Sequence, residues 1–289
     1  MGTGTTRPGG GGGMTAAALS AISALVQARS GIVLGEDKGY MLETRLAPLL
    51  RRHGLRDLQL LASRLQGPGA QALAREVTEA LTTNESSFFR DGKPFDHLRR
   101  ILPELAAARP PGQKLRIWSA ACSTGQEAYS IAMILDELRG RLGGRDCEIL
   151  GTDLSREVVA RAQEGSFSQF EVQRGLPIQM LVKHFRQEGS RWRASPELRA
   201  RVRFAEGNLL EDLRGLGRFD VIFCRNVLIY FDTPTKRRVL EALSGRLAPD
   251  GLLYLGGAET VLGVTDGLVP LPGERGPHRL RGAATVPSR

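Results

Sequence analysis

Two carboxylates and two asparagines carry the strongest hint of chemistry, because each falls where a strand should end or a helix should begin. Asp153 closes the apolar segment ILGTDLS. An acidic residue at the end of the second strand of a doubly wound sheet typically takes ribose hydroxyls, whereas the alternative is a cap for a helix starting near Ser155. Glu127 stands just after the small-residue loop SAACSTG and puts a second carboxylate near the same crevice. Asn208 follows VRFAEG and Asn226 follows FDVIFC. Each asparagine alone reads as a turn residue, but two of them at strand ends beside one crevice point to ligand contacts. Tyr230, four residues after Asn226 among apolar neighbours, is either core or a hydroxyl at a reaction centre. Two carboxylates without a lysine make a poor phosphate site. They suit a ligand with hydroxyls and a cationic end.

These residues need elements to position them. The central stretch is LRIWSAACSTGQEAY, residues 115–129. Leu115, Ile117 and Trp118 suit a strand covered on both faces, and from Gln126 the pattern becomes helical. Between them no side chain is bulky, so backbone can approach a ligand closely. Alone this stretch is equally an ordinary strand-to-helix turn. It has one glycine, Gly125, and no GK[ST], which argues against a P-loop. Further strands are expected at Glu148–Thr152, Val202–Ala205, Phe219–Cys224 and Leu252–Gly256, with the first at Lys114–Trp118. Helices are expected at Gln126–Arg139, Arg156–Gln163 and Thr235–Leu247. The alternation predicts an α/β fold, a parallel sheet with helices on both faces. It fails between Phe167 and Arg201, where a short helix around Pro177–Phe185 and a hairpin turning at Gly189-Ser190 form a small β-insertion (about 167–201).

Ahead of this part, residues 14–90 read as a small all-α domain and a connecting loop, with 91–289 as the α/β domain and 1–13 as a disordered Gly-rich tail. The first helix ends at Gly31, Asp37 is placed to cap a second, and Pro48 should kink or break it. Two further short helices fall at Leu55–Leu65 and Leu73–Leu81, and Pro94–Ala108 is another. Arg45, Arg51, Arg52 and Arg56 cluster on or beside the second helix. They are a docking face for an acidic partner or simply a solvated face. In TTNESSFFRD, Thr83 or Asn84 is placed to cap a helix, Phe88 and Phe89 suit a core, and Arg90 beside them suits a pocket mouth.

Composition bounds the classes. The chain of 289 residues is 41% hydrophobic and 25% charged, as expected of a soluble globular protein. It has no apolar run able to span a bilayer and no secretory pattern at its start, so no membrane insertion is expected. Cys122, Cys147 and Cys224 are scattered and read as reduced thiols of a cytoplasmic protein, with no metal spacing. His53, His97, His184 and His278 are isolated, surface or structural, and form no catalytic pairing. The net charge of +9 suits nucleic acid, a membrane surface or an acidic protein, but aromatics are only 6% and are not interleaved with basic residues.

Taken in order, TTNESSFFRD, RIWSAACSTGQEAYSIAM, LGTDLS, GNLL and FCRNVLIYFD resemble the CheR-type chemotaxis receptor methyltransferases. The resemblance spans about Ile22 to Leu280. It implies a small helical N-terminal domain and a doubly wound, Rossmann-like domain with a β-insertion that binds S-adenosylmethionine (SAM) and releases S-adenosylhomocysteine (SAH). It implies cofactor contacts from Asn84, Ser86 and Arg90 in the connecting loop, and from Glu127, Asp153, Asn208, Leu209, Asn226 and Val227 in the α/β domain. Ser86 stands where the family usually has threonine, and keeps the hydroxyl. Arg90 and Tyr230 would lie nearest the methyl group. Arg45, Arg51, Arg52 and Arg56 would face the cytoplasmic helical region of the receptors. The insertion stretch Arg186–Ser195 is short beside that of members that bind a C-terminal receptor tether, so direct docking is expected.

The implied chemistry is economical. A glutamate carboxylate, with a pKa of about 4.3, is already a nucleophile at neutral pH and needs no general base. Its attack on a sulfonium cancels charge, so a dry pocket and in-line geometry suffice. Two rivals remain at this level. A nucleic-acid methyltransferase acting on an exocyclic amine would show Asn-Pro-Pro-aromatic where this chain has RNVLIY, so no nucleic-acid partner is expected. A SAM-binding adaptor that has lost transfer would not need Arg90 and Tyr230.

Overall fold

The computed structural model describes residues 16–35 and 38–283. The expected cap Asp37 and the Gly-rich stretch 1–13 lie outside them. Two compact units divide between Thr82 and Thr83, so the segment that begins TNESSFFRD groups with the α/β unit.

The first unit holds α1 (Ala16–Ser30), α2 (Gly39–Arg52), α3 (Leu58–Leu65) and α4 (Gln71–Leu81). Ile22, Val26, Leu42, Leu46, Leu61 and Val77 are fully buried, and α4 packs against both α1 and α2. Gly31 ends α1 at φ 79°, a left-handed position that favours glycine. Asp57 caps α3, accepting the Leu60 N–H at 2.8 Å. Of the kink or break expected at Pro48, the break does not occur: α2 runs through it to Arg52. Leu42, Leu46 and Leu49 bury one side of α2 while Pro48 sits on the exposed side. Packing on both sides of the proline thus outweighs the one backbone hydrogen bond it removes.

The second unit opens with a correction. Residues 83–87 form no helix, so neither Thr83 nor Asn84 is a cap. Turns lead instead through Gly92 (φ 59°) into α5 (Lys93–Ala108), where Pro94 fits the first turn. There follow β1 (Leu115–Ala120), α6 (Gln126–Glu137), β2 (Cys147–Asp153), α7 (Arg156–Glu164), β3 (Ser166–Ser168), α8 (Gln169–Gln173), α9 (Ile178–His184), β4 (Phe185–Glu188), β5 (Arg191–Ala194), α10 (Pro196–Arg199), β6 (Val202–Glu206), β7 (Phe219–Cys224), α11 (Thr233–Ser244), β8 (Leu247–Tyr254), β9 (Leu268–Pro270) and β10 (Pro277–Leu280).

The main sheet has the order β6-β2-β1-β7-β8-β10-β9. Its first five strands are parallel, in register Ile117↔Ile149 and Ile117↔Val221. The chain steps one way from β1 to β2 to β6 and the other way from β7 to β8. Right-handed crossovers therefore put α6 and α7 on one face and α11 on the other. The order reverses between β1 and β7, which opens a crevice at their carboxyl ends. The sheet is not wholly parallel, however: β10 pairs antiparallel with β8, and β9 with β10. The last expected strand also starts earlier than read, at Leu247, because the ladder continues across Pro249-Asp250-Gly251 through a register shift opposite Phe219–Val221.

The insertion is a three-stranded antiparallel sheet, β3-β5-β4, with β4 and β5 joined at Gly189-Ser190. Its inner rings, Phe167 and Phe185, meet Phe88 edge-on at 5.0 and 5.6 Å. At the amino-terminal foot of the sheet, Arg109 is buried between Asp220 (2.5 Å) and a bidentate Asp250 (2.7 and 2.8 Å).

Candidate active site

The loop from β1 to α6 is built mainly of backbone. Ala121, Ser123 and Gly125 have φ of 56°, 52° and 94°. A Cβ at Gly125 would lie 3.0 Å from that of Ala162 and 3.1 Å from the Phe204 ring, so only glycine fits there. Left-handed Ala121 and Ser123 each cost on the order of 1–2 kcal/mol and persist because partners hold the loop. Cys122 N–H donates to the Thr152 carbonyl at 2.9 Å. Ser123 N–H donates to Asp153 Oδ2 at 2.8 Å.

Asp153 is 7% exposed at the end of β2. Its Oδ1 accepts the Ser155 N–H at 3.0 Å, and Ser155, not Asp153, is the N-cap residue of α7. The carboxylate thus joins β2 to the β1–α6 loop rather than capping a helix. Gly207 N–H donates to the Asp153 carbonyl at 2.9 Å, which brings the end of β6, and with it Asn208 and Leu209, to the same edge. Asn208 Oδ1 accepts the Leu210 N–H at 3.0 Å in a local turn. A cleft of about 170 Å³ lies beside these two residues, lined also by Trp118, Thr152 and Leu213; Asp153, Glu127 and Asn226 are not part of its wall.

The 84–91 loop is tied to this edge at both ends. Ser123 Oγ donates to the Asn84 carbonyl at 2.7 Å, and Phe89 N–H donates to Ser130 Oγ on α6 at 3.0 Å. Phe89 and Asp91 take left-handed φ of 46° and 68°. Arg90 is half-buried, and its Nη1 reaches the Glu85 carbonyl at 3.3 Å. Glu85 pairs in turn with Arg174 of the insertion at 2.8 Å. Ser86 lies in the same loop.

Glu127 is not a solvent-facing carboxylate. It is 9% exposed, accepts Ser119 Oγ at 2.8 Å, and pairs with Arg225 at 3.1 Å. Burial pushes its pKa up, while Arg225 and Ser119 pull the other way. Arg225 also donates to Asp91 Oδ2 at 2.6 Å and to the Arg90 carbonyl at 2.9 Å. Ser123 therefore ties Asn84 to Asp153, and Arg225 ties Arg90 to Glu127 and is followed in the chain by Asn226. Sequence reading assigned no role to Arg225. A charged residue directly after the all-buried strand FDVIFC was the available signal, since such a group must find partners.

Asn226 follows in a left-handed conformation, φ 60°. A 3₁₀ turn, Leu228–Tyr230, places Tyr230 half-buried, unlike the fully buried Tyr129 and Tyr254. Glu259 was also missed. It comes 33 positions after Asn226 in a loop of glycines, yet its carboxylate accepts the N–H groups of Asn226, Val227 and Leu228 (2.9, 2.9 and 2.7 Å).

The cysteines and the buried histidines offer no activated group. Burial drives the Cys122 and Cys224 thiols far up, and Cys147 to about 11, so all three stay protonated. His97, His184 and His278 are buried and lowered by desolvation; they are structural, not surface, residues. Among the described residues no group of three or more metal-binding side chains comes together.

The four arginines expected at a docking face divide. Arg51, Arg52 and Arg56 are exposed, with Arg52 on Glu76 (3.1 Å) and Arg56 on Asp57 (3.0 Å). Arg45 turns inward and donates to the carbonyls of Leu81 and Thr82 at 3.2 and 2.9 Å.

The donor set fits a nucleoside with a cationic tail: a carboxylate at the end of β2, a loop without bulky side chains, apolar Leu209 and Val227, and no phosphate-binding lysine. Comparison with known proteins agrees. Residues 84–275 match the family described as "CheR methyltransferase, SAM binding domain", and residues 17–82 match "CheR methyltransferase, all-alpha domain". The chain is 41% identical over 241 residues to chemotaxis protein methyltransferase Cher2 of Pseudomonas putida, covering 82% of this chain and 87% of that one. It is 42% identical to chemotaxis protein methyltransferase 1 of Pseudomonas aeruginosa over the same shares, and 38% identical to the chemotaxis protein methyltransferase of Vibrio anguillarum over 84% and 89%. With the β1–β7 crevice, the Asp153 edge and the small insertion sheet, these matches place the chain in the CheR family of SAM-dependent chemotaxis methyltransferases.

Proposed function

We propose that this enzyme methylates glutamate side chains in the cytoplasmic helical region of chemotaxis-type receptors. The observation that carries the reading is the Arg225 junction. It fastens the Arg90 carbonyl and Asp91 to Glu127, and so keeps the loop of Asn84, Ser86 and Arg90 beside the carboxyl ends of β1 and β7.

Bound SAM supplies an electrophilic methyl group on a sulfonium. Asp153 is assigned to the ribose hydroxyls. Asn208 and Leu209 line one side, and Asn226 and Val227 the other. Glu127, neutralised by Arg225, contributes hydrogen-bonding shape more than net charge at the cationic end. Arg90 and Tyr230 orient the incoming carboxylate. They need move no proton, because a glutamate with a pKa of about 4.3 arrives ionised. Exclusion of water then raises the reactivity of that carboxylate.

Receptor docking is assigned to the exposed Arg51, Arg52 and Arg56 on or just after α2, which suit an acidic helix. Direct docking is favoured over a receptor tether, because β4 and β5 join through a tight turn at Gly189-Ser190 and carry no longer loop.

The test is transfer of labelled methyl from SAM to membranes bearing the organism's own receptors, beside an Asp153→Ala control. Base-labile label on receptor protein, lost in the control, supports the reading. Label on nucleic acid overturns it, and SAM binding with no transfer to any receptor preparation favours an adaptor.

A further inference from the structure

Glu259 lies outside every motif that marked the site, yet it organises one wall of it. Its Oε1 accepts the N–H groups of Val227 (2.9 Å) and Leu228 (2.7 Å). Its Oε2 accepts those of Asn226 (2.9 Å) and Gly256 (2.6 Å). An ionised carboxylate offers about four lone-pair sites, so four backbone donors saturate it. Successive N–H groups that converge in this way form a concave anion nest. Here the chain fills the nest with its own side chain. The occupied nest does two things that the local sequence cannot. It stabilises Asn226 in the left-handed region, φ 60°, and it joins the end of β7 to the end of β8.

Gly256 is part of the same device. A Cβ there would lie 2.8 Å from Glu259 Oε2, 2.9 Å from Asn226 Nδ2 and 3.0 Å from Asn226 N. The first two distances are shorter than real Cβ contacts and the third is at their limit, so glycine at 256 is what lets the carboxylate and the asparagine close on the same point.

We propose that Glu259 is a positioning residue for methyl transfer: through its four backbone hydrogen bonds it sets the conformation of Asn226-Val227 at the cofactor and the start of the turn that carries Tyr230. With all its acceptor positions used, it is assigned no polar contact with cofactor or substrate. The proposal rests on the assignment of Asn226 and Val227 to the cofactor.

The experiment compares Glu259→Gln, Gly256→Ala, Asn226→Ala and Glu274→Gln in the full-length protein. Glu274 is the control, a partly exposed carboxylate paired with Arg100. SAH affinity is measured by calorimetry, SAM KM and kcat by methyl transfer, and local order by amide hydrogen exchange. Glutamine retains one acceptor oxygen but turns an amide N–H toward backbone N–H groups, so Glu259→Gln loses about two charge-assisted bonds. The expected result is SAH binding weaker by roughly ten-fold or more, with faster exchange at residues 226–228 and slow exchange kept in α6 and β2. Gly256→Ala should reproduce this pattern and Glu274→Gln should not. If Asn226→Ala weakens SAH binding while Glu259→Gln and Gly256→Ala bind normally, Glu259 is structural only and the proposal fails. If Asn226→Ala also binds normally, the assignment of this loop to the cofactor fails, and the proposal with it.

Discussion

Arg225 and Glu127 form an ion pair of 3.1 Å at the centre of the site, with side-chain exposures of only 2% and 12%. The pair sits between the end of β7 and the start of α6, and Arg225 extends it to Asp91 and the Arg90 carbonyl. A buried pair of this kind adds little net stability. Removing one member is costly, because the other is left charged and unsolvated.

Arg225→Met should therefore destabilise the protein by about 3–5 kcal/mol. Adding Glu127→Gln should recover part of that loss, since the stranded charge is gone. Methyl transfer should not recover, because the Arg90 carbonyl and Asp91 remain unheld. Denaturant midpoints and kcat across the double-mutant cycle separate the two effects.

Gly175 in the insertion lies against the Phe88 backbone. A Cβ there would be 2.2 Å from the Phe88 carbonyl oxygen, and the residue has φ 85°. Gly175→Ala should cost roughly 2 kcal/mol or more from strain and displacement combined. Phe88 is two residues from Arg90, so kcat of the folded fraction should fall as well. A melting curve with steady-state transfer rates checks both.

The arginines proposed for docking should behave as two kinds of residue. Arg51→Glu, Arg52→Glu and Arg56→Glu should raise KM for receptor, more at low salt than at high salt, with the melting temperature nearly unchanged. Arg45→Ala should instead lower stability by about 1–2 kcal/mol, because the Leu81 and Thr82 carbonyls lose a charged donor. Equal effects of all four on KM alone would overturn the division.

Stability should fall on acidification below about pH 6.5, the ordinary histidine range. Burial holds His97, His184 and His278 below that value in the fold. The unfolded chain therefore binds more protons there, and unfolding free energy rises with pH. The stabilisation is complete above the unfolded pKa and is lost as pH drops through the folded values. His97 also accepts or donates one bond to Tyr254 Oη, at 2.6 Å. His97→Gln should flatten part of the slope below about pH 6.5, measured by urea unfolding.

Much of the architecture was legible because its signals are local. Phe219–Cys224 is apolar but for Asp220, and it is a strand between those same residues. Gln126 and Arg156 begin helices where periodicity changes. The capping box Ser168–Glu171 was equally local, and α8 could have been read from it. Antiparallel β9 and β10 were not legible, because short half-exposed strands owe their pairing to β8 rather than to their own composition.

By itself the sequence determined which residue types stand at the strand ends: Asp153, Asn208 and Asn226 need only alternation and strand length to reach one sheet edge. Tertiary structure decided what those groups are once there. Glu127 reads in sequence as a second free carboxylate, but it is an internal partner of Arg225, 98 positions away. Arg45 reads as docking charge, but it caps the end of α4. Glu259 reads as a loop residue, but it fills a nest 33 positions upstream. In each case the outcome was set by desolvation, which forces a charge leaving water to take whatever partners the fold brings within about 3 Å.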